Sequence, residues 1–150
     1  DDGGSFDAGD RTLHAVRPPI FDSPTTRGLF DPSTGVYWAS DSFATPMLEP
    51  VRTVDDIDAT FWAEGMATFN HYISPWLALV DERRYQATVD RVAGLGATVL
   101  AGCHTPGVSG ARVAAAFDAT RRTPSFVAPP QPDQSVLDEI QRVLSGPVAA

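Results

Sequence analysis

The chain has 150 residues, 43% hydrophobic and 9% aromatic, which is enough for the core of one domain. Eleven basic against 19 acidic residues give a net charge of −8, and phosphate backbones bind clustered Lys and Arg, so nucleic acid is not an expected partner. No window approaches the roughly 20 apolar residues of a membrane span, no secretory signal is visible, and the single cysteine, Cys103, excludes an intrachain disulfide and favours a reducing, cytoplasmic setting.

The first ten residues, DDGGSFDAGD, are rich in glycine and aspartate and predict a loop or a turn between strands. The chain has no initiator methionine, since its methionines are Met47 and Met66. This start favours a piece of a longer or processed polypeptide, and the alternative is the loss of a few leading residues.

Three short strands are predicted next. Alternation over Thr12–Val16 predicts a strand that ends before Pro18. The stretch TTRGLFD predicts a second strand, and DPSTG is a turn cluster that leads into a third strand, VYWAS. Two short strands around a five-residue turn predict a hairpin. The third strand ends on Ser-Asp-Ser, which places the carboxylate of Asp41 at its end.

The periodicity changes from strand to helix after Pro50. Aspartates offer helix N-caps, and apolar or small residues then recur every four positions and predict one helix face. These are Asp55, Asp56 and Asp58, followed by Phe61, Gly65, Phe69 and Ile73. Pro75 interrupts the pattern. A second helix is predicted from about Asp81 to Gly94, with Tyr85, Val89 and Val92 on one face.

The last third of the chain adds a strand and two helices. ATVLAG, residues 97–102, predicts a buried strand that runs straight into Cys103 and His104, and a third helix is predicted over residues 109–121. Residues 123–133 are rich in proline and predict an extended connector. Residues 134–150 predict an amphipathic helix and a tail, with Val136, Ile140 and Val143 on one face and Leu137 and Leu144 beside them. This order predicts helices packed on a sheet, a layered α/β or α+β fold.

Two predicted strand ends carry side chains that bind metals. Asp41 follows VYWAS, and His104 follows ATVLAGC. Carboxylate oxygen and imidazole nitrogen together suit Zn, Fe or Mn. The structural alternatives are that Asp41 forms a turn or caps a helix, and that His104 is structural beside its glycine and proline neighbours. His14 and His71 are expected to be structural, and strand alternation predicts that Cys103 is a buried, inert thiol facing away from His104.

WASDSFA and VLAGCHTPG together resemble two segments of a known fold, with 104 − 41 = 63 residues from Asp41 to His104. The pair resembles the C-terminal half of the metallo-β-lactamase fold, and within it the di-iron domain of flavodiiron proteins and related oxygen-binding proteins. The resemblance covers about residues 11–121. It implies that residues 1–122 form half of an αββα sandwich, a mixed sheet with helices on its outer face. It also implies that Asp41 bridges two divalent metals, Fe or Zn, and that His104 is the last histidine ligand.

The chain also departs from this family pattern. FDSPTT places Asp22 where the family has a histidine, so Asp22 is either a third ligand or the cap of the turn that follows it. The His-x-Glu/His-x-Asp-His cluster of the N-terminal half is absent, and no glycine-rich phosphate loop is present, so no FMN is predicted. Either the preceding half of the fold lies outside this chain, or the protein has lost its metal.

Two functions follow from this pattern. The first is a metal-dependent protein, of the di-iron oxygen or nitric oxide type or of the hydrolase type, present here as an incomplete half site. It would be an enzyme only with the missing N-terminal half. The alternative is a metal-free binding or assembly subunit that pairs with another chain or with a second copy of itself. Half a sandwich exposes a large apolar patch, so either function predicts a partner chain or a missing segment.

Overall fold

The computed structural model describes residues 2–145, which form one mixed sheet and four α-helices. The strands are β1 Ser5–Asp7, β2 Thr12–Val16, β3 Gly28–Asp31, β4 Val36–Trp38, β5 Val99–Ala101 and β6 Val108–Ser109. The helices are α1 Ala59–Ile73, α2 Glu82–Ala93, α3 Ala111–Arg122 and α4 Gln134–Leu144. The predicted layered α/β class is confirmed. Within residues 2–145, no helix has both the length and the hydrophobicity that a membrane crossing requires.

The six strands lie in the sheet in chain order, and all neighbours are antiparallel except β4 and β5. Parallel neighbours need a long crossover, and here residues 39–98 supply it with α1 and α2. Because β4 and β5 are parallel, their carboxyl ends meet at the same edge of the sheet. This topology brings the segments after Trp38 and Ala101 together.

One face of the sheet is covered by helices. The paired residues Phe30, Tyr37, Leu100 and Val108 form a row across β3 to β6, and all four are buried. They belong to the same apolar cluster as residues of α1, α2 and α3, such as Trp62, Val89 and Phe117. The core therefore lies between this face and the helical layer.

The opposite face of the sheet is apolar but only partly covered. Its central row pairs Ala15 with Leu29, Leu29 with Trp38 and Trp38 with Ala101. None of these four residues belongs to the core cluster or to the side chains packed against it. Trp38 is 41% exposed, although tryptophan is ordinarily well buried. We call this surface, with Val36 and Val99 beside the row, the open sheet face.

Two strands and one helix face differ from the sequence-based expectations. β1 forms within the first ten residues, which had been predicted to be a loop, and the two-residue β6 precedes α3. In α1 the buried side chains include Trp62, Met66 and Asn70, while Phe61 is 54% exposed. The predicted face of α1 was thus wrong at Phe61, one position away from the residue that is buried.

The remaining helix predictions agree with the structure. Asp58 caps α1 by accepting from the N–H groups of Thr60 and Phe61, and Asp81 caps α2 by accepting from Arg84. The buried face of α2 is the predicted one, Tyr85, Val89 and Val92. Helix α4 forms as predicted, and every residue of it is exposed. The predicted tail after it, residues 146–150, lies outside the described residues.

Candidate metal site

The candidate site lies where the chain leaves β4 and β5. The parallel pairing continues past both strands, because Ala39 N–H donates to the carbonyl of Ala101 at 2.7 Å and Cys103 N–H donates to that of Ser40 at 2.8 Å. Asp41 and His104 come directly after this last pair of bonds. The structure therefore brings the two predicted ligands together.

Gly102 permits this close approach. A Cβ atom at Gly102 would overlap the carbonyl oxygen of Ser40, and that oxygen is backbone, which cannot rotate away. Any larger residue would push the ends of β4 and β5 apart. The glycine before Cys103 is thus a requirement of the site's geometry.

The backbone of both strand-end loops is strained. Within residues 2–145, the non-glycine residues with positive φ are Ser40 (54°), Phe43 (66°) and His104 (56°). Side chains disfavour this left-handed region by about 1–2 kcal/mol, and such residues cluster at functional sites. All three lie within two residues of Asp41 or at His104 itself, so the strain is concentrated at the candidate site.

Buried contacts hold the Asp41 loop in this conformation. The Ser42 hydroxyl donates to the carbonyl of Ile20 at 2.7 Å and accepts from the N–H of Ile20 at 3.2 Å. The ring of Phe43 packs edge-on against Phe117 of α3, with ring centroids 5.2 Å apart. The loop is therefore anchored on both the β2–β3 connection and the helical layer.

The Asp41 and His104 side chains face each other. The Nε2 atom of His104 lies 3.7 Å from Oδ1 of Asp41, with 60% of the His104 side chain and 21% of the Asp41 side chain exposed. Two ligands held at about 2.1 Å by one tetrahedral ion are about 3.4 Å apart, so this spacing fits shared coordination of a metal. Two ligands alone are fewer than the roughly three or four that protein zinc sites use.

Other side chains shape the surroundings of this pair. The ring of Phe69 on α1 lies 5.6 Å from the His104 ring, between centroids. Beside His104, a cleft of about 400 Å³ is lined by residues 46–51 and 104–106. Burial, then the charge of Asp41 and a hydrogen bond to it, raise the pKa of the Cys103 thiol. The Cys103 thiol therefore lies close enough to Asp41 to sense its charge.

Asp22 is not assembled with the other two predicted ligands. Its Oδ1 accepts a hydrogen bond from the hydroxyl of Thr26 at 3.0 Å, across a turn closed by Thr26 N–H donating to the carbonyl of Ser23. Within residues 2–145, no three His, Cys, Asp or Glu side chains are grouped so as to hold a metal. The geometry is that of the turn-capping alternative, and metal ligation by Asp22 stays a prediction.

Sequence reasoning missed three residues that support the pair. Phe69 had been assigned to the core face of α1 rather than to His104, and Ser42 had no predicted contact with the site. Cys103 had been predicted to be buried and to face away from His104, whereas it is only partly buried and lies near Asp41. Only Ser42 carried a local signal, as a polar residue next to Asp41. By contrast, the expected structural role of His71 fits its contact, since its Nε2 lies 2.8 Å from the carbonyl oxygen of Thr123.

Comparison with known proteins gives structural matches only. No family model and no curated protein sequence matches this chain. The chain is similar in structure to the rubredoxin oxygen:oxidoreductase of Desulfovibrio gigas, with a TM-score of 0.68 and 15% identity over 83% of this chain and 31% of that one. It is also similar to the flavodiiron protein of Giardia intestinalis, with a TM-score of 0.64 and 17% identity over 83% of this chain and 29% of that one.

A third neighbour is the chemotaxis sensor ODP of T. denticola in its apo state, with a TM-score of 0.61 and 14% identity over 92% of this chain and 52% of that one. At these identities the likeness establishes a shared fold. The predicted resemblance to metallo-β-lactamase-type di-iron proteins is thereby confirmed at the level of the fold. The chain spans between about a third and a half of the length of these neighbours.

Proposed function

We propose that this chain is the C-terminal half of a metallo-β-lactamase-type domain and that it contributes Asp41 and His104 to a metal centre. The observation that carries the proposal is the 3.7 Å separation of Asp41 Oδ1 and His104 Nε2 at the joined ends of β4 and β5. The remaining ligands come from residues beyond the 150 of this chain. The share of the neighbours' length that the chain spans supports this division.

In this proposal the metal is iron or zinc, because a carboxylate and an imidazole suit both ions. A bound metal of this kind supplies Lewis acidity and, for iron, redox capacity. The chain's own contribution is to place and orient two ligands. Asp41, partly buried, brings a negative charge that holds cations in place, and the left-handed backbone of His104 with the ring of Phe69 fixes the direction of the imidazole.

The reaction belongs to the completed domain. The names of two neighbours, an oxygen oxidoreductase and a flavodiiron protein, favour reduction of a small oxidant over hydrolysis. In this proposal, catalysis requires the remaining ligands, which come from residues beyond this chain, and this chain alone is not an enzyme. The division of the chain into residues 1–122, a connector of residues 123–133 and a C-terminal helix is part of the same proposal.

The open sheet face favours a second candidate function. In an αββα sandwich, the inner face of each sheet packs on the other at a spacing of about 10 Å. In the part of the chain that the structure describes, the row from Ala15 to Ala101, including Trp38, has no such cover. A metal-free subunit that pairs with another chain through this face is the alternative, because the surface needs a partner whether or not a metal binds.

Imidazole NMR of the isotope-labelled chain during Zn²⁺ titration tests the metal proposal. The chain has three histidines, so His14 and His71 serve as internal controls. We expect a saturable shift of the His104 signals that is lost in Asp41→Asn. Asp56→Asn, which changes an exposed aspartate outside the site, should leave the shift unchanged. Asp22→Asn should also leave it unchanged if Asp22 only caps its turn.

The titration separates the two candidate functions. A His104 response no larger than those of His14 and His71 would overturn the metal proposal and leave the assembly function. A His104 response that survives Asp41→Asn would show that the two side chains do not share an ion. Fluorescence of Trp38 reports separately on whether a partner covers the open sheet face.

A further inference from the structure

Helix α4 presents an apolar face that no other part of residues 2–145 covers. Its five apolar residues remain between 43% and 78% exposed, and they are Val136, Leu137, Ile140, Val143 and Leu144. An isolated helix of 11 residues is marginal in water, so α4 needs a surface to pack against. This requirement is independent of the metal site and of the open sheet face.

The helical layer carries a groove whose small apolar side chains suit the apolar face of a helix. It lies between α1 and α3, has a volume of about 510 Å³, and is floored by Ala59, Ala63 and Ala67 of α1 and Ala119 of α3. Such small side chains let a helix approach closely. No residue of α4 lines the groove within its own chain. The groove belongs to the helical layer, away from the open sheet face, so the two surfaces can be occupied at the same time.

The charges at the rim of the groove complement those that flank the apolar face of α4. Successive helical residues are rotated by about 100°, so Glu139 and Gln141 lie on either side of the apolar stripe centred on Ile140. The groove has Arg122 on its α3 side and Glu64 on its α1 side. Of the two directions in which α4 can lie in the groove, charge favours the one that sets Glu139 against Arg122 and the neutral Gln141 against Glu64, because the reverse direction sets Glu139 against Glu64. Within residues 2–145, neither rim residue takes part in an ion pair. Glu139 pairs with Arg142 of α4 at 2.6 Å, and because this pair is exposed it costs little to exchange for Arg122.

The connector directs α4 away from its own groove. The Tyr72 hydroxyl donates to the carbonyl of Pro130 at 3.3 Å, and the Gln131 amide donates to that of His71 at 3.5 Å, so the connector is attached to the end of α1. Only two residues then precede α4, and one of them is Pro132. Proline-rich segments are semi-rigid and extended, which disfavours a reversal onto the same molecule.

We propose that the groove between α1 and α3 binds the apolar face of α4 from a second copy of this chain, in a reciprocal exchange. Each copy then supplies one helix and one groove, and the two identical contacts close a twofold symmetric dimer. Exchange of an identical element is a route to dimers that requires no new surface. Glu139 of each copy pairs with Arg122 of the other.

Sedimentation velocity of the 150-residue chain over a concentration series tests this proposal. The wild type should dimerise reversibly. Glu139→Arg and Arg122→Glu should each raise the dimer dissociation constant on the order of tenfold, because each dimer contains the pair twice. Ile140→Gln should raise it at least as much, while Asp138→Gln, the same incoming residue on the opposite side of α4, should not change it.

Mixing the two charge variants identifies the source of the helix. An equimolar mixture of Glu139→Arg and Arg122→Glu chains should dimerise like the wild type, since every helix–groove contact in the mixed dimer has opposite charges. A wild type that is monomeric at all concentrations would overturn the proposal. A mixture that does not recover the wild-type dimer would also overturn it, because that result indicates docking of α4 within its own chain. A dimer that neither Ile140→Gln nor the charge variants weaken would overturn it as well, because that result indicates contact through the open sheet face.

Discussion

Replacement of Gly102 by alanine is the sharpest test of how the candidate site is built. The added methyl group overlaps the carbonyl oxygen of Ser40, and relief requires the ends of β4 and β5 to separate. Overpacking of this kind typically costs about 1–3 kcal/mol. Separation also weakens the Cys103 N–H to Ser40 hydrogen bond, now 2.8 Å long, with a net value of about 0.5–1.5 kcal/mol.

An opposing term reduces the loss in stability. Alanine restricts the unfolded chain more than glycine does, which stabilises the folded state by about 0.4–1 kcal/mol where the native backbone tolerates it. The φ angle of Gly102 is outside the left-handed region, so no backbone penalty is added. The expected net loss for Gly102→Ala is therefore about 1–3 kcal/mol of the free energy of unfolding.

Urea denaturation followed by circular dichroism measures this loss as a lower midpoint at unchanged slope. Gly107→Ala is the matched control, because a Cβ atom there has no neighbour within 4 Å. The control should be neutral or slightly more stable than the wild type. Equal stability of Gly102→Ala and Gly107→Ala would refute the close approach of the two strand ends. The Zn²⁺ response of His104 should weaken in the first variant only.

Three further changes test other parts of the structure. Ser42→Ala leaves the buried N–H and carbonyl of Ile20 without partners, and the free energy of unfolding measured in urea should fall by about 1–3 kcal/mol. A loss below about 0.5 kcal/mol would show that the Ser42 hydroxyl does not hold the loop. His104→Gly removes the strain of a left-handed backbone but gives the unfolded chain more freedom, so the free energy of unfolding should stay level or rise by up to about 1 kcal/mol. Zinc binding should be lost in the same variant. A clear loss of stability would show that the backbone at His104 is not strained. Hydrogen bonds from the Ser33 hydroxyl and then from Arg11 hold the pKa of Asp31 well below its ordinary value, so its stabilising contribution is present above about pH 4 and is lost as the pH falls further. Asp31→Asn should therefore flatten the acid side of a plot of urea midpoint against pH. Parallel curves for the wild type and the variant would contradict this.

The pairing of Asp41 with His104 was predictable because it depends on strand ends, and short apolar runs that stop on polar residues are visible in a sequence. The buried face of α2 was predictable for a similar reason, since Tyr85, Val89 and Val92 are its main apolar residues. Helix α1 has apolar residues on two adjacent stripes. Which stripe is buried depends on what it packs against, and periodicity alone does not contain that information.

For Asp22, the sequence allowed a metal ligand where the structure shows a turn. Its residue type and its spacing from Asp41 allowed a metal ligand, but a local hydrogen bond to the hydroxyl of Thr26 engages its carboxylate in a turn. Short-range bonds of this kind cost little entropy to form, so they compete well with distant ligands. The support that Phe69 gives to His104 is hidden for the converse reason, since it joins residues 104 − 69 = 35 positions apart that only the fold brings together.

The parallel contact of β4 with β5 also has a consequence for the order of events during synthesis. The strands β2, β3 and β4 pair through short connections, whereas β4 finds β5 only after the crossover has been made. At translation rates of about 5–20 residues per second, the 63 residues from Asp41 to His104 take roughly 3–13 s to produce. During that interval Asp41 is present without its partner, and closing so long a loop is slow. The proposed metal site therefore cannot form before the crossover is complete, and a metal bound there would report that β4 and β5 have paired.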